Sequence, residues 1–261
     1  MSNEEIRWKI KSDYIHALAE RGLRQDNRKM DEYRKITIIP NYVENALGSA
    51  LVKIGGTQVL VGISMDVGAP YPDSPNSGVL ITGCELVPLA SPTFEPGPPN
   101  EDAIEIARVV DRGIRESQAI DFDSLCIEEG EKVWMVMVDL HVLDYDGNLF
   151  DAGELASIVA LWNTKIPKYE DGQVIRSERK KKLPVKKKPI ECTFVKIGKA
   201  IMLDPILEEE KSMDARLTLA TTEKGELCAV QKGGVGFFTE EEVLNSFDVA
   251  MEKGKELRKL F

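Results

Sequence analysis

Two runs of short strand-like segments, each giving way to one amphipathic helix, restrict the fold of this chain more than any other feature. The first run holds Ile36 to Ile39, Ser49 to Ile54 and Gln58 to Met65, rich in Val, Ile and Thr and punctuated by glycine. Gly55-Gly56 reads as a hairpin turn between the second and third. Val79 to Leu89 adds a strand, and a proline-rich loop from Ala90 to Pro99 follows. Asn100 then caps a helix whose buried stripe is expected at Ile104, Ala107, Val110 and Ile114. Val133 to Leu143 is a nearly continuous apolar strand, expected to be buried on both faces. Asp146-Gly147 closes it in a turn, and Ala152 to Trp162 reads as helical.

The second run has strands near Thr193 to Ile197 and Ile201 to Asp204. A hairpin of Ala215 to Thr222 with Leu227 to Gln231 turns on Lys224-Gly225. Thr239-Glu240-Glu241-Glu242 is a capping box, and its helix continues through Val243, Phe247, Ala250, Met251 and Leu257. Ahead of both runs, Ser2-Asn3-Glu4-Glu5 fits another capping box. Ile6, Ile10, Tyr14 and Leu18 predict an amphipathic helix that Gly22 stops in a left-handed conformation. Strands then helix, repeated, predicts an α+β architecture in two units. The divisions fall at an N-terminal helix, 1–23, a first unit, 24–166, a charged connection, 167–189, and a second unit, 190–261. The connection, Pro167 to Pro189, shows no periodicity and is expected to be an exposed link.

Composition removes several classes of function. No apolar run approaches the roughly 20 residues that a membrane helix needs. Met1 to Lys11 is polar and charged, unlike a secretory signal, so the expected place is the cytoplasm and no membrane partner. Cys84, Cys126, Cys192 and Cys228 are scattered and read as free thiols. The histidines, His16 and His141, sit near no cysteine in sequence, which argues against zinc. No P-loop or G-x-G-x-x-G occurs, which lowers a nucleotide-binding metabolic enzyme, and no cofactor is expected. The net charge of -10 opposes a generally basic nucleic-acid coat, so any RNA contact must rest on particular arginines.

Five segments carry a signal. Gly22 to Arg28, continuing to Arg34, places Arg24, Asp26, Asn27 and Arg28 after the first helix; alone it reads as charges around a helix C-terminus. Gly48 to Leu60 is a tight glycine-turned hairpin. Arg108, Arg112 and Arg115 fall at i, i+4 and i+7, one basic stripe suited to phosphate oxygens, although Asp111 and Glu116 could pair with it on a solvated face. Val138 to Ala152 contains Asp146-Gly147-Asn148-Leu149-Phe150. Gly198 to Pro205 ends in Asp204-Pro205, a pair that can simply close a strand. A sixth stretch, Arg176 to Lys188, reads as a solvated linker before an RNA contact.

Taken in order, these segments resemble the RNase PH family. Arg24 to Arg28 is similar to the family's R-x-D-G-R, with Asn27 at the glycine, a residue that tolerates the left-handed backbone. Gly48 to Val59 is similar to G-S-x-L-x-x-x-G-x-T-x-V, and Arg112 to Arg115 to R-S-L-R. Val138 to Ala152 resembles D-x-x-V-x-x-x-D-G-G-T-R-T-A, whose Gly-Thr-Arg part cradles inorganic phosphate in active members. Here Asn148, Leu149 and Phe150 stand in those places, and neither Leu149 nor Phe150 can bind an anion. Gly198 to Asp204 resembles D-G-x-x-x-x-D, with glycine where the first aspartate would be, so Gly198 is read as a lost catalytic position.

The resemblance implies an RNase PH-like fold, related to domain 2 of ribosomal protein S5, with two RNase PH-like domains. It implies a family chemistry in which phosphate attacks the 3′-terminal linkage of RNA. Within the family the match is nearest the larger, non-catalytic ring subunit of archaeal exosomes. That implies a catalytic sister subunit, a hexameric ring built as a trimer of heterodimers, a trimeric RNA-binding cap and a single-stranded RNA 3′ end as partners. Arg108, Arg112 and Arg115 become the expected RNA contacts, with no catalytic residue in this chain. The alternative is an active phosphate-dependent 3′–5′ exoribonuclease working alone, against which Gly198 and Leu149-Phe150 speak.

Overall fold

The structure, a computed structural model, describes residues 3–261. Ser2, and with it the capping box read at Ser2 and Glu5, lies outside the described residues, as does the side chain of Ile6. Helix α1 spans Asn3–Glu20 and ends, as expected, at Gly22 in a left-handed conformation (φ 68°). Its buried face differs from the expected one. Ile10 and Tyr14 are exposed, while Ile15 and Ala19 pack on Val195, Ile197 and Met202. A strict four-residue repeat drifts around a helix of 3.6 residues per turn, so that row leaves the packed face.

The first sheet contains β1 (Ile36–Pro40), β2 (Gly48–Ile54), β3 (Thr57–Gly68), β4 (Val79–Leu86), β5 (Cys126–Glu128) and β6 (Lys132–Asp144). Its order is β1-β2-β3-β6-β4, with β5 on β6. Every pairing is antiparallel except β4 with β6. In β6 burial alternates: Val136, Val138, Leu140 and Val142 face the core, and Met135, Met137, Asp139 and His141 face outward. The expectation of two buried faces is therefore corrected. Methionine and histidine on the outer face disguise the period of two in a largely antiparallel sheet.

Helix α2 (Glu101–Glu116) begins where Asn100 accepts the Ala103 N–H at 3.0 Å. Ala103, Ile106, Ala107, Val109, Val110, Gly113 and Ile114 are buried; Ile104, expected inside, is exposed. Helix α3 (Leu149–Asn163) is buried on every side from Leu149 to Leu161. A helix enclosed on all sides sits inside a fold rather than on it, and α3, which buries Asp151 and Glu154 among its apolar residues, packs between β2 and β3 on one side and the second sheet on the other. That sheet is β9 (Ile190–Ile197), β10 (Ala200–Leu203), β11 (Ala215–Thr221) and β12 (Leu227–Gly234), in the order β10-β9-β11-β12. A short helix α4 (Leu207–Ser212) follows β10, and α5 (Glu240–Leu257) lies on β9 and β11, starting from the expected Thr239 box. One apolar core runs from Val52 and Val61 through Leu155 and Ile158 to Ile190 and Leu219. Each such side chain contributes roughly 1.5–3 kcal/mol.

The stretch read as an irregular charged link is instead a hairpin, β7 (Lys165–Glu170) with β8 (Gln173–Lys182). Asp171 and Gly172, both at positive φ, make its two-residue turn. Arg179 fixes it by donating to the carbonyls of Ala46 (2.7 Å) and Asn45 (3.0 Å), and Tyr169 meets Trp134 edge to face. Beyond the hairpin, Lys186 pairs with Asp121 and Lys188 lies between the rings of Trp162 and Phe261.

Candidate functional site

The turn between β6 and α3 is the centre of the site. Gly147 (φ 84°) is required there, because a Cβ would stand 2.5 Å from the Pro205 carbonyl oxygen. Asn148 (φ 59°) caps α3, accepting from the Asp151 N–H. Its side-chain amide donates to Asp204 Oδ1 (2.7 Å) and Asp151 Oδ2 (2.9 Å), and its backbone N–H donates to Glu210 Oε2 (2.9 Å). Every donor of Asn148 is thus taken by a carboxylate of the same chain.

Asp204 is fully buried and held by two guanidinium groups. Arg34 donates to it from its backbone N–H (2.8 Å), Nε (2.9 Å) and Nη2 (2.7 Å), and Arg28 from Nη1 (3.0 Å). Arg24, also buried, forks onto Glu209 at 2.9 and 2.5 Å and reaches the Leu203 and Asp204 carbonyls. The segment that alone read as charges around a helix end is therefore a buried arginine clamp on β10 and α4, with Asn27 left-handed as expected (φ 62°). Arginine's five fixed donors allow this satisfaction of buried carboxylates.

Gly198 is not brought to this place. It forms the left-handed tip of the β9–β10 hairpin, donating its N–H to Asp214. Asp204 follows the far end of β10, four strand residues away and so roughly 13 Å along the strand. Two carboxylates join Asp204 around Asn148: Asp151 of α3 and Glu210, six residues after Asp204 on α4. Burial pushes the Glu210 carboxyl upward, opposed by the Asn148 N–H and by Arg216 and Arg34. Sequence reading missed Glu210 because α4 is six residues long and leaves too short a periodic signal.

Leu149 and Phe150 form the buried first turn of α3. The Arg216 guanidinium covers the Phe150 ring at 4.1 Å and pairs with Glu105 at 2.5 Å. A residual cavity of about 90 Å³ remains beside Phe94, Tyr145 and Phe150. Where a phosphate cradle would need a hydroxyl and a free guanidinium, the chain places two apolar side chains and an arginine already paired.

Arg108, Arg112 and Arg115 do come together. They line one open cleft of about 270 Å³ with Thr82, Asp111 and Glu116. Arg115 forks onto Asp111 at 3.0 Å and donates to the Leu80 carbonyl. Arg108 is exposed and makes no ion pair or hydrogen bond among the described residues. Arg112 donates to Gln231 Oε1 (3.3 Å), and the Gln231 amide donates to Glu105 (3.0 Å), which also binds Arg216. A polar chain thus links the stripe to Phe150. Gln231 and Arg216 lie on the second sheet, and no local pattern in the sequence joins them to α2. No cluster of three or more metal-ligating side chains occurs among the described residues.

A six-stranded and a four-stranded sheet sharing one buried helix, with an arginine-clamped turn at that helix's start, define a two-part α+β protein of the RNase PH type. The chain belongs to the 3′ exoribonuclease family: its domain 1 matches residues 32–167 and its domain 2 matches residues 188–253. It is 54% identical to "Exosome complex component Rrp42" of Thermococcus gammatolerans, covering 100% of this chain and 97% of the relative. A solved "archaeoglobus fulgidus exosome with RNA bound to the active site" contains a chain with 49% identity and a TM-score of 0.91, covering 97% of this chain and 98% of that one. A chain of an "Archaeal exosome core" has 44% identity and a TM-score of 0.89, covering 99% and 98%. Among the described residues, no helix is long and apolar enough to cross a membrane.

Proposed function

We propose that this chain is a non-catalytic ring subunit of an archaeal exosome, shaping the complex and gripping RNA for a catalytic sister subunit. Full-length similarity to exosome components and exosome cores supports membership of such a complex. The trimer of heterodimers and the trimeric cap expected of the family remain part of the proposal. So does its working place in the cytoplasm.

The observation that carries the non-catalytic reading is the state of the α3 N-terminus. Its first N–H is bound by Glu210, its capping amide by Asp204 and Asp151, and its first turn is Leu149-Phe150. Phosphorolysis needs preorganised donors around the attacking anion, and here the Asn148 donors face resident carboxylates. Asp204 lies between Arg28 and Arg34 and is fully buried, which suits a brace rather than an acid that meets substrate.

RNA binding rests on the cleft of Arg108, Arg112 and Arg115. Guanidinium groups grouped on one helix face contact the backbone without reading bases. A local positive cleft also reconciles RNA contact with the net charge of -10. Replacing Arg112 and Arg115 together with Glu should weaken RNA capture by the assembled complex by about tenfold or more at low salt. Assembly itself should persist on a sizing column. Unchanged affinity in a filter-binding titration would remove the stripe from the RNA path.

A further inference from the structure

Beneath the arginine-bearing helix lie two glutamates that neither the clamp nor the cleft uses. Glu154 of α3 and Glu191 of β9 are both fully buried, and none of their four carboxylate oxygens has a hydrogen-bond partner. They approach the same point. A Cβ built on Gly113 of α2 would stand 2.9 Å from Glu154 Oε1 and 3.1 Å from Glu191 Oε1, so those oxygens are at most about 6 Å apart. Arg112, next to Gly113, lines one small recess with Glu191 and Gln231, so the pair lies on the buried side of the helix that carries the stripe.

The groups facing the pair come from five elements. Helix α2 supplies Asp111 and Arg112, α3 supplies Asp151, β9 supplies Cys192, β11 supplies Arg216 and β12 supplies Cys228. Arg112 and Arg216 oppose the rise that burial causes at Glu191 without hydrogen-bonding to it, Arg112 donating to Gln231 and Arg216 to Glu105. Two ionised carboxylates without donors, this close and this buried, repel each other and lose hydration. Carboxyl pairs in such settings retain a proton at a pH where isolated ones have lost it.

We infer that Glu154 and Glu191 form a proton-holding seat under α2 that couples pH to the grip of Arg112 and its neighbours on RNA phosphates. The inference rests on the stripe being the RNA contact. At neutral pH the pair holds at least one proton and carries at most one negative charge. As pH rises, the remaining proton leaves to solvent. The second charge then draws Arg112 inward and adds negative potential behind the cleft. Both effects oppose phosphate binding, so RNA affinity falls as pH rises. Deprotonation is local, and no other bond is made or broken.

Infrared spectroscopy and RNA titration test this together. The chain at neutral pH should show a protonated-carboxyl stretch that Glu154→Gln and Glu191→Gln each reduce. The assembled complex should lose about three- to tenfold in affinity for a single-stranded RNA as pH is raised above neutrality, while Glu191→Gln flattens that slope. Glu154→Gln, on a different element, provides the same comparison if Glu191→Gln fails to assemble. Absence of the carboxyl band, or a wild-type slope in both variants, overturns the inference. If Arg112→Glu leaves affinity untouched, the stripe reading fails instead, and the infrared band still decides whether the seat holds a proton.

Discussion

At the residue scale, the carboxylate of Asp204 is wholly occupied by partners from its own chain. Its oxygens accept from Arg34, Arg28 and Asn148 and have no exposure. Removing one member of such a buried set leaves the others uncompensated. Asp204→Ala should therefore destabilise the chain by about 3–5 kcal/mol, read as a lower urea midpoint; a midpoint within error of wild type would show that the clamp contributes little. Asp151 behaves differently. Burial raises its carboxyl to about 6, against donors from Tyr33, Asn148 and Thr193. A raised acid holds its proton more tightly when folded, so its stabilising contribution is complete below about pH 4 and is lost as pH climbs through about 6. The stability of wild type relative to Asp151→Asn should thus fall by roughly 3 kcal/mol across that window. A difference that stays flat with pH would contradict the assignment. From sequence, Asn27 was legible as a left-handed turn residue. The partners of Asp204 were not, because Arg28 and Arg34 lie 176 and 170 residues away along the chain.

At the element scale, legibility followed the strength of local chemistry. Asn100 and Thr239 mark helix starts by satisfying free N–H groups, and the structure places caps there. Glycine-turned hairpins at Gly55-Gly56 and Lys224-Gly225 also match. The β7–β8 hairpin was hidden because its strands are largely charged, and charge conceals alternation. Its readable signal was Asp171-Gly172, a pair suited to two consecutive positive φ values. The α1 stripe went astray because an exposed Tyr14 carries the same apolar label as a buried Ile15. The turn before α3 gives the sharpest element-level prediction. Gly147→Ala would put a methyl group against the Pro205 carbonyl at a positive φ, so it should cost about 2–4 kcal/mol. Hydrogen exchange should then report loosening at α4 and the start of α3. Protection equal to wild type at both places would show that the close approach is dispensable.

At the scale of the whole molecule, the core is continuous from the first sheet through α3 to the second, so the cleft and the turn before α3 are held in fixed relation. Repeated strand-then-helix order was enough to anticipate the α+β class. Helix α3 as the shared centre was not, because an apolar run carries no marker of which two sheets will enclose it. On the proposed reading, this fold keeps the frame of a phosphorolytic enzyme while side chains of its own occupy the anion's place. Transfer of radiolabelled inorganic phosphate into nucleoside diphosphates, with single-stranded RNA and the purified chain alone, tests that reading most directly. The expected outcome is no labelled product from the chain alone and labelled product once a catalytic sister subunit completes the ring. Labelled nucleoside diphosphate released by this chain by itself would contradict it.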